Sequence, residues 1–331
     1  MACIEIGNLE ANKGERTQGY LEIARRADGN PVHIPIIIIC GVEEGPVLCV
    51  DGSTHGDEYE GVEAIMRLGK TLDPNSLRGI FIGVPIVNIL AYETREREYP
   101  FDRYAYADIN RCYPGREGGS ITERIAYKYF NEVVLKSNFL LTFHGGGNYY
   151  LIPPKIIYPE IGDAELDKQT FDLARSFGVD ILCKNSPHKG TLTSQAVRKG
   201  IPCACPEIGG SNRAPQDRED YVQLSIRGIQ NTLMHLGMLE GQPEIPEHCV
   251  VVEAGSYIYC NNGGLMVYEP TIKLKARIKS GELIGKILDP LGGEVERVYA
   301  QWDGIVVLLR TMPVVNPGDW FIGIGNIIEE V

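Results

Sequence analysis

No CxxC pair occurs among the nine cysteines, and an odd number of thiols cannot all be paired within one chain. The nearest spacing, Cys203-Ala-Cys205, lies inside an apolar run, so free, mostly buried thiols in a reducing compartment are expected. Basic clusters are also missing. A net charge of -12 and a pI near 5.1 leave no surface that would displace counterions from phosphates, which argues against a nucleic-acid partner. An anionic small molecule is not excluded, because one local arginine outweighs a distant acidic surface. The longest apolar runs, such as "IPIIIICGV", are too short to span a bilayer. The N-terminal "MACIEIGNLEANKGERTQGY" has no basic region followed by an apolar one, so no signal peptide is expected. Low-complexity segments and solenoid-type repeats are absent. These absences together predict a soluble, cytoplasmic protein with no membrane partner; a homo-oligomer is compatible with the sequence.

What is present is a chain of 331 residues, 44% hydrophobic and 23% charged, ample for a buried core and two domains. Through about residue 240, apolar runs alternate with helical patterns. "IPIIIICGV", "PVLCVDG", "GIFIGVPIV", "NFLLTFH", "VDILC" and "PCACPEIGG" read as strands. The first two are separated by a Glu-Glu-Gly turn. Helical spacing runs from Glu58 to Lys70, with Val62, Ile65, Met66 and Gly69 on one side. Ser120 with Glu123 forms a capping-box signature before "ITERIAYKYFNEVVLK". Further helices are expected over 164–177, in "TSQAVRKG", and from about 216 to 236, while "GGGNYYLIPPKIIYP" reads as a loop. Such alternation predicts an α/β fold: a mostly parallel mixed sheet flanked by helices, with ligands beyond the carboxyl ends of the strands. After "EGQPEIPEH", short strand candidates divided by glycine turns predict a small all-β domain. The expected boundaries are 1–245 and 246–331.

Three polar segments follow strands. In "DGSTHGDEYEG", His55 and Glu58 stand three residues apart at a strand-to-helix junction, a spacing that lets an imidazole and a carboxylate converge on one ion. "TFHGGG" supplies His144. Two histidines and a glutamate form the open ligand set of catalytic zinc, which leaves a fourth position for water. Glu207, in "CACPEIGG", is placed at another strand end as a proton shuttle. A phosphate loop is excluded for the first stretch, which lacks the GxxxxGK[ST] pattern. Each residue also has a plainer reading: His144 as a histidine beside a glycine turn, Glu207 as a carboxylate near a helix start. In "YADINRCYPG", Asn110 and Arg111 precede a Pro-Gly turn. Arginine's planar fork suits a substrate carboxylate, and the alternative is a surface pairing with Asp108 or Glu117. Either Arg97 or Arg103, in "ETREREYPFDRY", could face the oxyanion of an attacked carbonyl. Tyr149 and Tyr150 are either pocket walls or packing.

With these pieces in order along residues 18–240 ("GPVLCVDGSTHGDEYEG", "LDPNSLRGIFIGVPIVN", "DINRCYPG", "GGSITERIA", "FHGGG", "IPCACPEIGG"), the sequence resembles the succinylglutamate desuccinylase/aspartoacylase family of the zinc carboxypeptidase superfamily. It is most similar in look to bacterial deacylases such as the N-acetyl-diaminobutyrate deacetylases. The resemblance implies one zinc ion bound by His55, Glu58 and His144. It implies Asn110 and Arg111 on a substrate carboxylate, Glu207 as base and then acid, and removal of an acyl group from an N-acylated amino acid or related small carboxylate. The alternatives are a carboxypeptidase, another amide or lactam hydrolase, or a catalytically silent member that binds a small acidic metabolite. The segment "ARIKSGELIGKILDPLGGEVERVYAQWDGIVV" also resembles a biotinyl/lipoyl-type sandwich, but its modified-lysine motif is missing, so a scaffold role is expected. One departure stands out. Where the family carries an aspartate two residues before the third ligand, this chain has Thr142, either a change in how the site is tuned or an ordinary β-branched strand residue.

Overall fold

The structure, a computed structural model, describes residues 3–102, 108–186, 188–211 and 214–330. A small hairpin, β1 (Ile4–Ile6) and β2 (Leu9–Ala11), precedes two long antiparallel strands, β3 (Arg16–Arg25) and β4 (Pro31–Cys40). In β4 the alternate residues Ile34, Ile36 and Ile38 are buried, as the period of two in a pleated strand requires. Then follow β5 (Glu43–Asp51), α1 (Glu60–Thr71), β6 (Arg78–Val84), α2 (Ile89–Thr94), α3 (Ile121–Glu132) and β7 (Phe139–Thr142). Next come β8 (Tyr150–Pro159), α4 (Ala164–Ser176), β9 (Ile181–Asn185), α5 (Leu192–Val197), β10 (Cys203–Gly209) and α6 (Pro215–His235). The C-terminal part is all strand: β11 (Val250–Glu253), β12 (Tyr257–Tyr259), β13 (Gly264–Tyr268), β14 (Arg277–Ile278), β15 (Leu283–Leu288), β16 (Glu294–Tyr299), β17 (Gly304–Arg310), β18 (Val314–Val315) and β19 (Trp320–Glu330).

The main sheet has the order β14-β17-β19-β11-β9-β8-β10-β7-β5-β6-β4-β3, with β12 paired to β19. One face packs against α3 and α5 through Ile125, Tyr129, Leu192 and Val197. The other packs against α1, α4 and α6 through Ile65, Leu68, Leu173 and Ile229. Helix α3 starts where its capping box predicts: the Ser120 hydroxyl accepts from Glu123 N, and the Glu123 carboxylate accepts from Ser120 N at 2.9 Å. A smaller sheet, β16-β15-β13-β18, closes over a separate C-terminal core that includes Phe321, Ile322 and Ile284. No helix among the described residues is long and apolar enough to cross a membrane.

Three expectations are corrected. The sheet is not mostly parallel: of its 13 strand pairings among the described residues, five are parallel and eight antiparallel. Parallel pairing needs a long crossover, and the turn between β3 and β4 is too short for one; β11 joins β9 in parallel, and β19, β17 and β14 beyond it extend the sheet antiparallel. The expected loop at 145–159 contains the ten-residue strand β8. Its Pro153 and Pro154 hid it, but they sit where the ladder changes partners. Leu151 and Tyr150 pair with β17, residues from Ile156 pair with β9, and the β10 register shifts between Glu207 and Gly209. Prolines are tolerated in sheets at such irregularities. Met66 is exposed, because the buried stripe of α1 runs through Gly61, Ala64, Ile65 and Leu68 and leaves Met66 at its margin.

Candidate metal centre and active site

Strands β10, β7 and β5 are consecutive and mutually parallel. Their carboxyl ends therefore open on one rim, and each delivers part of the site. Beyond β5 the chain turns through Ser53, whose φ of 49° is a left-handed conformation costly for a non-glycine residue. The Ser53 hydroxyl donates to the His55 carbonyl at 3.2 Å. His55 and Glu58 follow, and His144 stands two residues past β7, bridged through its backbone to Glu207 of β10.

His55 Nδ1 lies 2.9 Å from Glu58 Oε1, His144 Nδ1 lies 3.0 Å from Glu58 Oε2, and the two Nδ1 atoms are 3.0 Å apart. All three side chains are buried, and their ligand atoms lie within 4.8 Å of one another. Two imidazole nitrogens and a carboxylate aimed at one point fit a divalent cation of the zinc type. Burial disfavours the His55 cation, yet the Glu58 carboxylate outweighs it and raises the His55 pKa to about 9. Burial likewise opposes the Glu58 charge, and the two histidines overcome it and hold Glu58 well below the ordinary carboxylate range.

Asp108 braces this trio. Its Oδ1 lies 3.1 Å from His55 Nε2 and accepts from Asn110 N at 2.8 Å, while Oδ2 accepts from Arg97 Nη2 at 3.1 Å. Despite burial, those partners hold its carboxyl far below the usual range, His55 foremost. Arg97 also reaches to 3.7 Å from Glu58. Of the two arginines in that loop it is therefore the one placed at the centre, and Arg103 lies outside the described residues. Asn110 Nδ2 is 3.4 Å from His144 Nε2, and its Oδ1 accepts from Leu192 N at the start of α5. Arg111 is about half exposed, donates to the Asn110 carbonyl at 2.8 Å and lies 3.9 Å from Asp108. The Glu207 carboxylate remains partly open to the cleft and has no hydrogen-bond partner among the described residues. Burial raises its pKa, with Lys155 and then His144 opposing.

Sequence reasoning missed four further parts. Asp57 and Glu60, which flank Glu58 and Tyr59, hold the loops after β7 and β10: Asp57 accepts from Asn148 N at 2.9 Å and Glu60 from Gly210 N at 3.2 Å. Gly147, in the first of those loops, and Gly209, at the end of β10, have φ of 56° and 77°, where a Cβ would also strike the Asp57 and Glu60 carboxylates. Asp51, at the end of β5, is fully buried and accepts from Thr142 Oγ1 at 2.8 Å and Tyr129 Oη at 2.7 Å. Thr142 thus presents its hydroxyl to a carboxylate on the neighbouring strand. Lys155 is the fourth, an isolated basic residue within "LIPPKIIYP", which is the one signal that could have found it. Around the cleft, Tyr150 packs on Trp320 at 5.5 Å between centroids and meets Arg310 at 3.4 Å, whereas Tyr149 is largely exposed.

Comparison with known proteins bears on this arrangement. The model of the succinylglutamate desuccinylase/aspartoacylase catalytic domain matches residues 44–236. The N-alpha-acetyl-L-2,4-diaminobutyric acid deacetylase of Halomonas elongata is 29% identical over 308 residues, 91% of this chain and 87% of that protein. A succinylglutamate desuccinylase/aspartoacylase structure from Rhodobacter sphaeroides is 27% identical with a TM-score of 0.86, over 98% of this chain and all of that one. The product-bound ectoine utilization protein EutE (DoeB) from Ruegeria pomeroyi shares the fold, with a TM-score of 0.87 at 24% identity over 96% and 97% of the two chains.

Proposed function

The chain belongs to the succinylglutamate desuccinylase/aspartoacylase family, and from that premise we propose that it is a zinc-dependent amidohydrolase that removes a short acyl group from an N-acylated amino acid or related small carboxylate. The observation that carries this reading is the convergence of His55, Glu58 and His144 donor atoms beside a Glu207 carboxylate with no hydrogen-bond partner among the described residues, on one strand rim. The curated relative from Halomonas elongata acts, by its name, on N-alpha-acetyl-2,4-diaminobutyric acid, which makes that compound the first substrate to try.

In this reading His55, Glu58 and His144 would hold one zinc ion. When bound, it supplies Lewis-acid polarisation of the acyl carbonyl and acidifies a water. The chain's own residues do the rest. Asp108 accepts from His55 Nε2, which fixes the ring with Nδ1 turned toward Glu58 and His144. Glu207, with no hydrogen-bond partner among the described residues, takes a proton from the attacking water and returns it to the departing amine. Arg97 provides positive charge where the carbonyl oxygen turns anionic. Arg111 pairs with a substrate carboxylate through its planar fork, and Asn110 holds the turn that carries it, tied to Leu192 N on one side. The chemistry is assigned to residues 1–245, and 246–331 to a unit that walls the cleft through residues such as Trp320. The cytoplasm is the compartment consistent with nine unpaired thiols.

The test is a panel of N-acetyl, N-succinyl and other N-acyl amino acids, scored by release of the free amine, with C-terminal peptides included. Turnover of an N-acyl amino acid is expected. Preference for a free C-terminal peptide bond would move the protein to the carboxypeptidases, and zinc near one equivalent with no hydrolysis would make it a binding protein.

A further inference from the structure

Lys155 is 5% exposed, and its Nζ has one hydrogen-bond partner among the described residues, the Val307 carbonyl of β17 at 3.2 Å. A buried ammonium ion with a single neutral acceptor is a costly arrangement unless an opposite charge stands near. That charge is identifiable from the register. In the antiparallel pairing of β8 with β10, Lys155 is the direct partner of Glu207, and directly opposed residues project from the same face with Cβ atoms about 5 Å apart. The β10 bulge falls just past Glu207, where the strand re-aims. Tyr257 of β12 lies within electrostatic reach of both groups.

We propose that Lys155 is a positioning residue for Glu207: a buried ammonium, tethered to the Val307 carbonyl of the C-terminal β-region, that provides the counter-charge against which the proton-shuttling carboxylate is held. The tether fits this role. Val307 and Ile305 pack with Ile181, Cys183 and Val252 in a cluster where the C-terminal strands β17 and β11 meet β9 within the main sheet. Lys155 therefore links this cluster to the acid–base group, and the C-terminal region bears on the chemistry through it. A lysine kept for packing alone would be replaceable by methionine, which has similar length and no charge to bury.

The inference rests on the deacylase reading, and the test separates the two. Wild type, Lys155→Met and Lys155→Arg are assayed zinc-loaded on the best N-acyl substrate, with zinc content and Tm measured on each. Lys155→Met is expected to keep its zinc and an equal or higher Tm, with KM little changed and kcat lower by about 10- to 100-fold, within the span of a general base. Lys155→Arg, which keeps the charge, is expected to recover part of that loss. Should Lys155→Met fail to fold, Lys155→Gln serves, with kcat below that of Lys155→Arg by about tenfold. Unchanged kcat in a folded neutral variant, or equal kcat for Arg and Gln, overturns the role of Lys155 and leaves the deacylase reading standing. A wild type that hydrolyses no N-acyl substrate overturns that reading, and this proposal with it.

Discussion

Asp108→Asn probes the bracing of the metal centre with little change in volume. The carboxylate uses both oxygens: Oδ1 for His55 Nε2 at 3.1 Å and Asn110 N at 2.8 Å, Oδ2 for Arg97 at 3.1 Å. An asparagine has one acceptor oxygen. If it faces His55 and Asn110, its amide meets the Arg97 guanidinium donor to donor; if it flips, the amide meets the His55 N–H. Either way one charge-assisted hydrogen bond, worth about 1.5–3 kcal/mol, is lost. Loss of such a partner behind a ligand histidine typically weakens metal binding about 10- to 100-fold, or about 1.4–2.8 kcal/mol. The assay is a zinc titration of the metal-stripped protein against a chromophoric chelator of known affinity. Asp289→Asn, in a turn of the C-terminal region, is the charge control and is expected to leave affinity unchanged. Affinity of Asp108→Asn within twofold of wild type would refute the argument that Asp108 orients His55.

Two further outcomes follow from the same geometry. Glu207→Ala should retain zinc and lose hydrolysis by about 10²- to 10⁴-fold, and a fully active variant would remove Glu207 from its proposed role. Asp51 gives a pH signature: burial, opposed by its Tyr129 and Thr142 donors, raises its pKa to about 7, against about 3.9 for an unfolded chain. The folded state then holds a proton that the unfolded state has released. This group's contribution to stability is therefore greatest below pH ~4 and is lost as pH rises to about 7, by at most about 4 kcal/mol. Urea unfolding of wild type and Asp51→Asn across that window should show the wild type's stability relative to the variant highest near pH ~4 and falling toward pH 7. Parallel pH curves would contradict it.

The parts of the fold legible in the sequence were those with a strong local signal. The isoleucine run of β4, the capping box of α3 and the polar ends of β5, β7 and β10 each declare themselves within a few residues. Strand β8 did not, because its two prolines mimic a loop and only the change of partner along the sheet makes room for them. Sheet direction was equally non-local: nothing within β8 says that it runs against β10. The site divides the same way. His55, Glu58 and His144 carry residue types that announce metal chemistry, and the structure brings their donor atoms together. Asp51 and Lys155 are ordinary charged residues whose importance lies in what the register places opposite them, and Asp108 is one whose importance lies in the loop placement that sets it against His55 and Arg97. Thr142 looked like a gap until Asp51, across the β5–β7 ladder, took its hydroxyl.

The central claim is that His55, Glu58 and His144 hold a metal that the hydrolysis requires. It is tested most directly by stripping the protein of metal, adding zinc in fractional equivalents and following both bound zinc and release of amine from an N-acyl amino acid. The account predicts no activity at zero zinc, with a rise that breaks at one equivalent per chain. Full hydrolysis by protein shown to be metal-free would contradict it.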